Sequence, residues 1–146
     1  MIYYSNSPKE TQKIASNLAA KIKSGILTLE GELGAGKTTF VQAFAKALGV
    51  TAKVKSPTFN IIKKYRSHIR YIFHIDCYRL KDHKEAIPLG MKDIFKDKNV
   101  TVLIEWPERI SKILPKKIIR IHIDHISRNK RKIQITRLRN GQAKSK

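Results

Sequence analysis

The sequence predicts an α/β fold with a mixed, mostly parallel central sheet. Three observations support this class. A short apolar run, ILTL at residues 26–29, is followed by a glycine-rich loop and then by a helical pattern. The segment VTVLIEW, residues 100–106, begins as a continuous β-branched run, which is typical of a strand buried on both faces. Alternating patterns near the end of the chain indicate half-buried strands, so we expect a mixed sheet layered with helices.

The first predicted helix has a complete start signal. Ser7 is a capping residue, Pro8 suits the first helical position, and Glu10 can reach back as the acid of a capping box. Apolar residues then recur at helical spacing through residues 14–22, and we expect the helix to stop at Gly25.

The rest of the chain is predicted to contain a second long helix, several strands and a region of short helices and loops. The second helix follows the glycine loop, with an apolar stripe over residues 40–48 that Gly49 closes. The segments NIIKKY and YIFHID predict an antiparallel hairpin, and residues 80–98 read as short helices and loops. The alternating segments IIRIHID and KIQITRL predict two late strands.

Composition bounds the class of protein. A chain of 146 residues with 41% apolar residues has room for one domain with a real core. No apolar run approaches the roughly 18 residues needed to cross a bilayer, and the first residues lack a signal-peptide pattern. Cys77 is the single cysteine, which excludes an internal disulfide. We therefore expect a cytoplasmic protein with no membrane association.

The charge of the chain is strongly positive. Thirty-one lysines and arginines against eleven acids give a formal net charge of +20. Such a field attracts polyanions, which favours contact with RNA or DNA. The basic residues are spread along the whole sequence, so a generally lysine-rich surface explains the charge equally well. Both interpretations stay open at this point.

The glycine loop carries the strongest chemical signal. GELGAGKT fits G-x-x-x-x-G-K-[ST] at Gly31, Gly36, Lys37 and Thr38. Glycines let backbone N–H groups turn inward to cradle phosphate oxygens at a helix N-terminus. Lys37 can reach the β- and γ-phosphates, and the Thr38 hydroxyl can bind Mg²⁺. The motif predicts ATP and Mg²⁺ as ligands of a P-loop NTPase-like three-layer fold.

Two more residues of the glycine loop are candidates for phosphate binding. Gly34 adds a third glycine where a phosphate-binding loop needs backbone freedom, and Thr39 either donates to a phosphate or only caps the helix.

We expect one P-loop ATPase domain over residues 1–138, followed by a basic, disordered tail over residues 139–146.

Two acidic residues end predicted strands. Asp76 closes YIFHID and Glu105 closes VTVLIE. The carboxyl ends of strands are where an α/β sheet places its ligand, so either acid can hold Mg²⁺ or orient the attacking water. The competing explanations are a turn-capping role for Asp76 and a lysine ion pair for Glu105.

Other candidate residues carry weaker signals. NKRK near residue 129 lacks the aspartate of a guanine-reading motif, which favours ATP over GTP. His74, His122 and His125 lack the Cys/His partners of a metal site and are interpreted as strand-face residues. Cys77 is interpreted as a small core residue. For Trp106, packing is favoured over stacking on a base.

Several motifs then occur in a specific order: GELGAGKTTF, VKSPTFNIIKKY, HIDCYRL, LGMKDIF, LIEWPE and ILP. From about Ser7 to Asp124 this order strongly resembles the TsaE (formerly YjeE) family of bacterial ATPases. The resemblance implies a role in forming threonylcarbamoyladenosine (t6A) at position 37 of tRNAs that read codons beginning with A. It also implies the protein partners TsaB and TsaD, and ATP hydrolysis that is weak alone and resets their complex.

The resemblance also implies roles for individual residues. The catalytic group would be Lys37, Asp76 and Glu105, with Glu105 as the Walker B acid, and Thr38, Asp76 and Glu105 would be the metal ligands. SPTF would be a switch loop that senses the γ-phosphate through Ser56 and Thr58, and Trp106 would line the nucleotide or partner surface. The ATP-binding set would be Leu33, Gly34, Ala35, Gly36, Lys37, Thr38, Thr39, Ser7, Glu108 and Arg128. Ala86 and Ile87 depart from the acidic pair that the family often carries before its GxxD-F segment.

Two alternatives from other functional classes remain. A small-molecule kinase on the same loop needs a lid with arginines, for which Arg66, Arg70 and Arg79 are available. An RNA-binding module would hold nucleotide only as a structural ligand, and the +20 charge favours it. If the chain is the ATPase, its contact with tRNA is either indirect or direct through the basic surface.

Overall fold

The computed structural model describes residues 1–22, 24–32, 34–55, 57 and 60–138. Seven strands form one sheet in the order β1-β7-β6-β2-β5-β4-β3. The strands are β1 (Ile2–Ser5), β2 (Gly25–Glu30), β3 (Ile62–Arg66), β4 (Tyr71–Asp76), β5 (Thr101–Glu105), β6 (Ile118–His125) and β7 (Arg131–Leu138). The α-helices are α1 (Pro8–Lys21), α2 (Lys37–Ala47) and α3 (Met91–Lys96).

Parallel pairing is confined to the middle of the sheet. Strands β6, β2, β5 and β4 run parallel, while β1, β7 and β3 are joined to their neighbours in antiparallel register. The sheet is therefore mixed as predicted, but three of its six pairings are antiparallel, so it is less parallel than we expected. The reason is that β7 and β1 extend one edge of the four-strand parallel centre and β3 extends the other, each in antiparallel register.

Two cores cover the two faces of this sheet. On one face, α1 and α2 pack their apolar stripes, including Ala15, Phe40 and Phe44, against Leu27 and other inward residues of the central strands. The opposite face is covered by α3 and by 3-10 helices at His83–Glu85, Ile87–Leu89 and Pro107–Ile113. Every residue of β5 is buried, as its β-branched run predicts.

The start of α1 follows its sequence signal closely. The Ser7 side chain accepts a hydrogen bond from the Glu10 N–H at 3.1 Å, and Pro8 takes the first helical position. The Glu10 carboxylate reaches back one residue further than a standard capping box, to the Asn6 N–H at 2.8 Å. The predicted stop at Gly25 is wrong, because α1 ends at Lys21 and Gly25 begins β2.

Other local predictions are confirmed. Gly49 follows α2 with a φ of +97°, the left-handed conformation of a terminating glycine. The hairpin β3–β4 and the late pair β6–β7 are both antiparallel. Cys77 is fully buried, and burial together with the neighbouring carboxylates of Asp76 and Glu108 raises the pKa of its thiol to about 12.

Among the described residues, a search for helices with the length and hydropathy of a membrane span finds none.

Candidate nucleotide site

The glycine loop, residues 31–36, joins β2 to α2. Gly36 caps α2 with a φ of +104°, and the Phe40 N–H donates to its carbonyl at 3.0 Å. Gly34 also has a left-handed φ of +80°. A Cβ built on either glycine meets no heavy atom within 4 Å, so both lie against open space. Leu33 lies outside the described residues and its assignment to the site stays a prediction.

Gly31 requires glycine for a different reason. Its φ is +148°, and a Cβ there would lie 2.5 Å from the backbone oxygen of Ile123 on β6. The loop can leave β2 in this direction only because the position carries no side chain. The close approach fixes the first residue of the loop against the neighbouring strand.

We expect Gly31→Ala to destabilise the fold by about 1–3 kcal/mol, because it adds a backbone clash to a strained φ. Gly25→Ala is the matched control: its φ is +136°, but a Cβ there meets nothing within 4 Å. Urea unfolding midpoints of the two variants separate the clash from the backbone strain. Equal midpoints would show that Ile123 yields without cost.

The sheet brings the two predicted acids together. Asp76 ends β4, Glu105 ends β5, and the two residues are directly opposite in the parallel register. Glu105 is in turn opposite Leu29 of β2, one residue before the strand reaches Glu30 and the glycine loop. Both acids therefore emerge at the same edge of the sheet as the loop, where parallel strands place their ligands.

Loop and acids line one cleft of about 330 Å³. The cleft brings together most of the residues that the sequence assigns to ATP and metal. Its lining is Gly34, Gly36, Lys37, Thr38, Thr39, Asp76, Tyr78, Glu105 and Trp106. The lysine, two threonines, a tyrosine and two acidic residues thus line a single space.

Lys37 is buried and held from two sides. Its ammonium donates to the Gly31 carbonyl and lies 3.6 Å from the centre of the Trp106 ring, a cation–π contact. Burial lowers the pKa of Lys37, and the charges of Glu105, Glu108 and Asp76 oppose this shift. The ammonium is therefore partly desolvated and faces a group of carboxylates.

The pKa of Asp76 is shifted in the opposite direction to that of Lys37. Burial raises the pKa of its carboxyl group, while a hydrogen bond from the Tyr78 N–H at 3.0 Å lowers it. The Glu105 carboxylate raises the pKa further, and His74 and Lys37 lower it. A carboxyl group with a raised pKa is a stronger base once ionised, which suits the orientation of a water molecule.

His74 is a partner of Glu105 that sequence reasoning missed. The ring is fully buried on β4, and its Nε2 lies 2.6 Å from Glu105 Oε2. Its Nδ1 has no hydrogen-bond partner in the described part of the chain. Because Glu105 Oε2 needs a donor, the Nε2–H tautomer is the one that fits this contact. The prediction that His74 lies on a strand face is correct, but its bond to Glu105 depends on the β4–β5 register.

Trp106 and Tyr78 form the outer wall of the cleft. Their rings lie 5.0 Å apart at an angle of 55°. Trp106 has a φ of +58°, the one positive value for a non-glycine residue in the described ranges. This conformation turns the chain from β5 into the following 3-10 helix and places the indole over Lys37. Trp106 therefore packs against the core, Tyr78 and Lys37, and its choice between packing alone and stacking on a base stays a prediction.

Four predicted nucleotide contacts do not line this cleft: Ala35, which is buried within the glycine loop, and Glu108, Ser7 and Arg128. Glu108 lines a neighbouring cleft of about 530 Å³ that shares Trp106 with the first one. Ser7 caps α1 after β1, and Arg128 is exposed on the turn between β6 and β7. The strand directions place both at the same edge of the sheet as the glycine loop, on the side of β6, β7 and β1. Their roles stay predictions, as do those of Ser56 and Thr58, which lie outside the described residues.

Acidic residues concentrate at this edge despite the net charge of +20. Six of the eleven acids line the two clefts: Glu30, Glu32, Asp76, Glu105, Glu108 and Asp124. The cationic surface therefore lies mainly elsewhere, and the clefts suit a ligand that arrives with a divalent cation.

The donors at the cleft fit Mg²⁺ bound with a nucleotide. Within the described ranges, no group of three or more His, Cys, Asp and Glu residues could hold a metal by itself. Mg²⁺ is commonly held by one or two carboxylates or hydroxyls together with water and substrate phosphates. Thr38, Asp76 and Glu105 supply such oxygens beside Lys37 and the open side of Gly34 and Gly36.

Comparison with known proteins agrees with this geometry. The family model described as "Threonylcarbamoyl adenosine biosynthesis protein TsaE" matches residues 5–133. The chain belongs to the TsaE family. This match covers the glycine loop, both strand-end acids and the β6–β7 turn, so the resemblance seen in the sequence is confirmed.

Individual relatives of the TsaE family are similar over nearly the whole chain. A Bacillus subtilis protein named "tRNA threonylcarbamoyladenosine biosynthesis protein TsaE" is 43% identical over 135 residues, covering 92% of this chain and 84% of its own length. An Aquifex aeolicus protein of the same name is 39% identical over 136 residues, covering 90% and 92%. The crystal structure of Bacillus subtilis YdiB superposes with a TM-score of 0.80 at 37% identity, covering 96% of this chain and 86% of that one.

Proposed function

We propose that this TsaE-family chain is a Mg²⁺-dependent ATPase that supports t6A formation at position 37 of tRNA. The observation that carries the proposal is the single cleft in which Lys37 and Thr38 meet Asp76 and Glu105. The role in tRNA modification rests on family membership and on the names of its relatives. In this proposal the chain acts in the cytoplasm with TsaB and TsaD, and ATP hydrolysis resets their complex between turnovers.

Each residue of the cleft has a distinct task in this proposal. The glycine loop and the N-terminus of α2 bind the phosphates, and Thr38 with one or both acids holds Mg²⁺. Bound Mg²⁺ supplies charge neutralisation at the phosphate oxygens. To bind phosphate, the Lys37 ammonium exchanges the Gly31 carbonyl and the Trp106 ring for phosphate oxygens. That exchange is favourable because a buried ammonium gains a full negative charge in place of a dipole and a ring.

The two acids are suited to different tasks. Glu105 is held by His74 and is almost fully buried, which fits a fixed metal-side ligand. Asp76 is less buried, carries a raised pKa and is bonded through one oxygen to the Tyr78 N–H. Its other oxygen can accept a proton from, or orient, the attacking water. We propose this division of roles between the acids.

The kinase alternative is weakened by the positions of two of its three arginines; the third, Arg79, follows Asp76 by three residues and lies at the same edge of the sheet as the glycine loop. Arg66 ends β3 and Arg70 precedes β4, so both lie on the turn at the opposite edge of the sheet from the glycine loop. They line a separate small cleft with Asp97 and Asn99. Neither can form a lid over the proposed ATP without a large rearrangement.

The direct test is the fate of the γ-phosphate. Purified protein is incubated with labelled ATP and Mg²⁺, with a chelator sample as the control. The proposal predicts Mg²⁺-dependent release of inorganic phosphate to water. Transfer of the label to an added metabolite would instead establish a kinase, and the complete absence of nucleotide binding would contradict both functions.

His74 is expected to support turnover through its hydrogen bond to Glu105. His74→Leu removes the donor from a buried carboxylate, so we expect at least about tenfold slower turnover and a higher Mg²⁺ requirement. His74→Gln is the matched variant, because its terminal amide lies about as far along the side chain as Nε2 and can donate the same bond. We expect the glutamine variant to retain most activity. Equal activity in the leucine and glutamine variants would show that this bond does not matter.

A further inference from the structure

Arg131 connects the glycine loop to the turn between β6 and β7. It is the first residue of β7, and its side chain is half-buried. Its Nε donates to the Ala35 carbonyl at 3.1 Å, and one terminal nitrogen lies 3.4 Å from the Gly34 carbonyl. The other terminal nitrogen contacts carbonyls of the turn, those of Ser127 at 2.9 Å, Lys130 at 3.1 Å and Arg128 at 3.4 Å.

These contacts fix the direction of two peptide planes in the loop. In a trans peptide the carbonyl and the following N–H point in opposite directions. When the Ala35 carbonyl faces Arg131, the Gly36 N–H is aimed away from it. The peptide between Gly34 and Ala35 is held at both ends, since the Ala35 N–H donates to the Glu32 carbonyl at 3.1 Å. Of these two peptides, the one between Ala35 and Gly36 therefore leaves its N–H available for an anion, while the Ala35 N–H is used within the loop.

Arginine suits this position better than lysine. The guanidinium carries five N–H donors in a flat fork, so it can bond two loop carbonyls and the turn at once. Lysine has a single ammonium and cannot span the same set of acceptors. The turn is itself closed by backbone bonds between Ile126, Ser127 and Lys130, so it is a firm support for the fork.

We propose that Arg131 is a positioning residue for the nucleotide site, which sets the phosphate-binding conformation of the glycine loop from the β6–β7 turn. The inference rests on the proposed function, in that the loop is taken to bind phosphate. Arg131 acts on the loop backbone and needs no contact with the nucleotide itself.

The test compares Arg131→Lys with Arg137→Lys. Arg137 lies near the other end of the same strand and is exposed, which makes it a matched control for the change of side chain. Nucleotide affinity is measured for ATP and ADP through the fluorescence of Trp106, the single tryptophan. Hydrogen exchange of the Gly34, Ala35 and Gly36 amides is measured without nucleotide.

We expect Arg131→Lys to weaken nucleotide binding on the order of tenfold, from the loss of charge-assisted bonds to the loop. Exchange at the three loop amides should rise while exchange in the central strands is unchanged, and the KM for ATP should rise more than kcat falls. Arg137→Lys should behave as the wild type in all three measurements. Unchanged loop exchange and unchanged affinity in Arg131→Lys would overturn the inference.

The two proposals fail in distinguishable ways. If the wild-type protein binds nucleotide but does not hydrolyse it, the ATPase proposal fails and the affinity comparison still tests Arg131. If the wild type binds no nucleotide, the proposed function fails, and faster exchange confined to the loop in Arg131→Lys would still support its role in setting the loop.

Discussion

Lys37→Ala is expected to abolish ATP turnover, with a loss of at least about a hundredfold, while the fold stays intact. The loss follows because the ammonium is the cation nearest the bound phosphates in the proposed site, and such charge stabilisation acts mainly on the transition state. The fold should survive, because burial lowers the pKa of Lys37. Burial of the charged ammonium therefore destabilises the folded state at every pH below the ordinary lysine pKa. Replacing Lys37 by alanine removes this unfavourable contribution to the free energy of folding.

The control for this variant is Lys46→Ala, which removes an exposed lysine near the end of the same helix. Phosphate release and thermal unfolding are measured for both variants. The control should match the wild type in each measurement. Undiminished hydrolysis by Lys37→Ala would contradict the assignment of the glycine loop as a phosphate site, whatever the family membership of the chain.

Glu105→Gln is expected to slow hydrolysis by about a hundredfold or more at saturating ATP, with nucleotide binding largely retained. The substitution keeps the shape of the side chain and an acceptor oxygen for His74, but it removes the negative charge beside Thr38 and Lys37. Turnover should be measured over a range of Mg²⁺ concentrations, because a metal ligand and a water-orienting group differ in this dependence. Trp106 fluorescence reports nucleotide binding in the same samples.

Asp76→Asn provides the complementary variant. If Glu105 holds the metal and Asp76 orients water, Glu105→Gln needs more Mg²⁺, whereas Asp76→Asn loses turnover at every Mg²⁺ concentration. Glu85→Gln, at an exposed acid of a 3-10 helix, is the control and should be unaffected. Normal turnover in Glu105→Gln would assign the metal role to Asp76 alone.

The sequence predicted the local features of this fold well because they depend on neighbouring residues. The cap of α1 at Ser7, the buried β5 and the glycine that ends α2 each depend on a few adjacent side chains. The main site was predictable for a related reason. The motif fixes the loop, and a carboxylate at the end of a parallel strand emerges at the same edge of the sheet.

Features that depend on long-range register were missed. The short edge strand β1 forms because Ile2–Ser5 pairs with Arg131 to Gln134, more than 120 positions away. The bond between His74 and Glu105 requires the β4–β5 register, and the contacts of Arg131 require the β6–β7 turn to lie beside the glycine loop. No periodicity within one segment contains this information. The family resemblance implies Arg128 as the basic residue of this region near the nucleotide, whereas in the structure Arg131 contacts the loop and Arg128 is exposed.

In the proposed function, ATP hydrolysis at this cleft serves the TsaB–TsaD pair. The most direct measurement is phosphate release by the purified chain with Mg²⁺, alone, with tRNA, and with a purified TsaB–TsaD pair. We predict slow release by the chain alone and a clear increase with the pair, which Lys37→Ala removes. An increase with tRNA alone would instead point to the basic surface as the partner site. Release that is absent, or that the pair leaves unchanged, would contradict the proposed function.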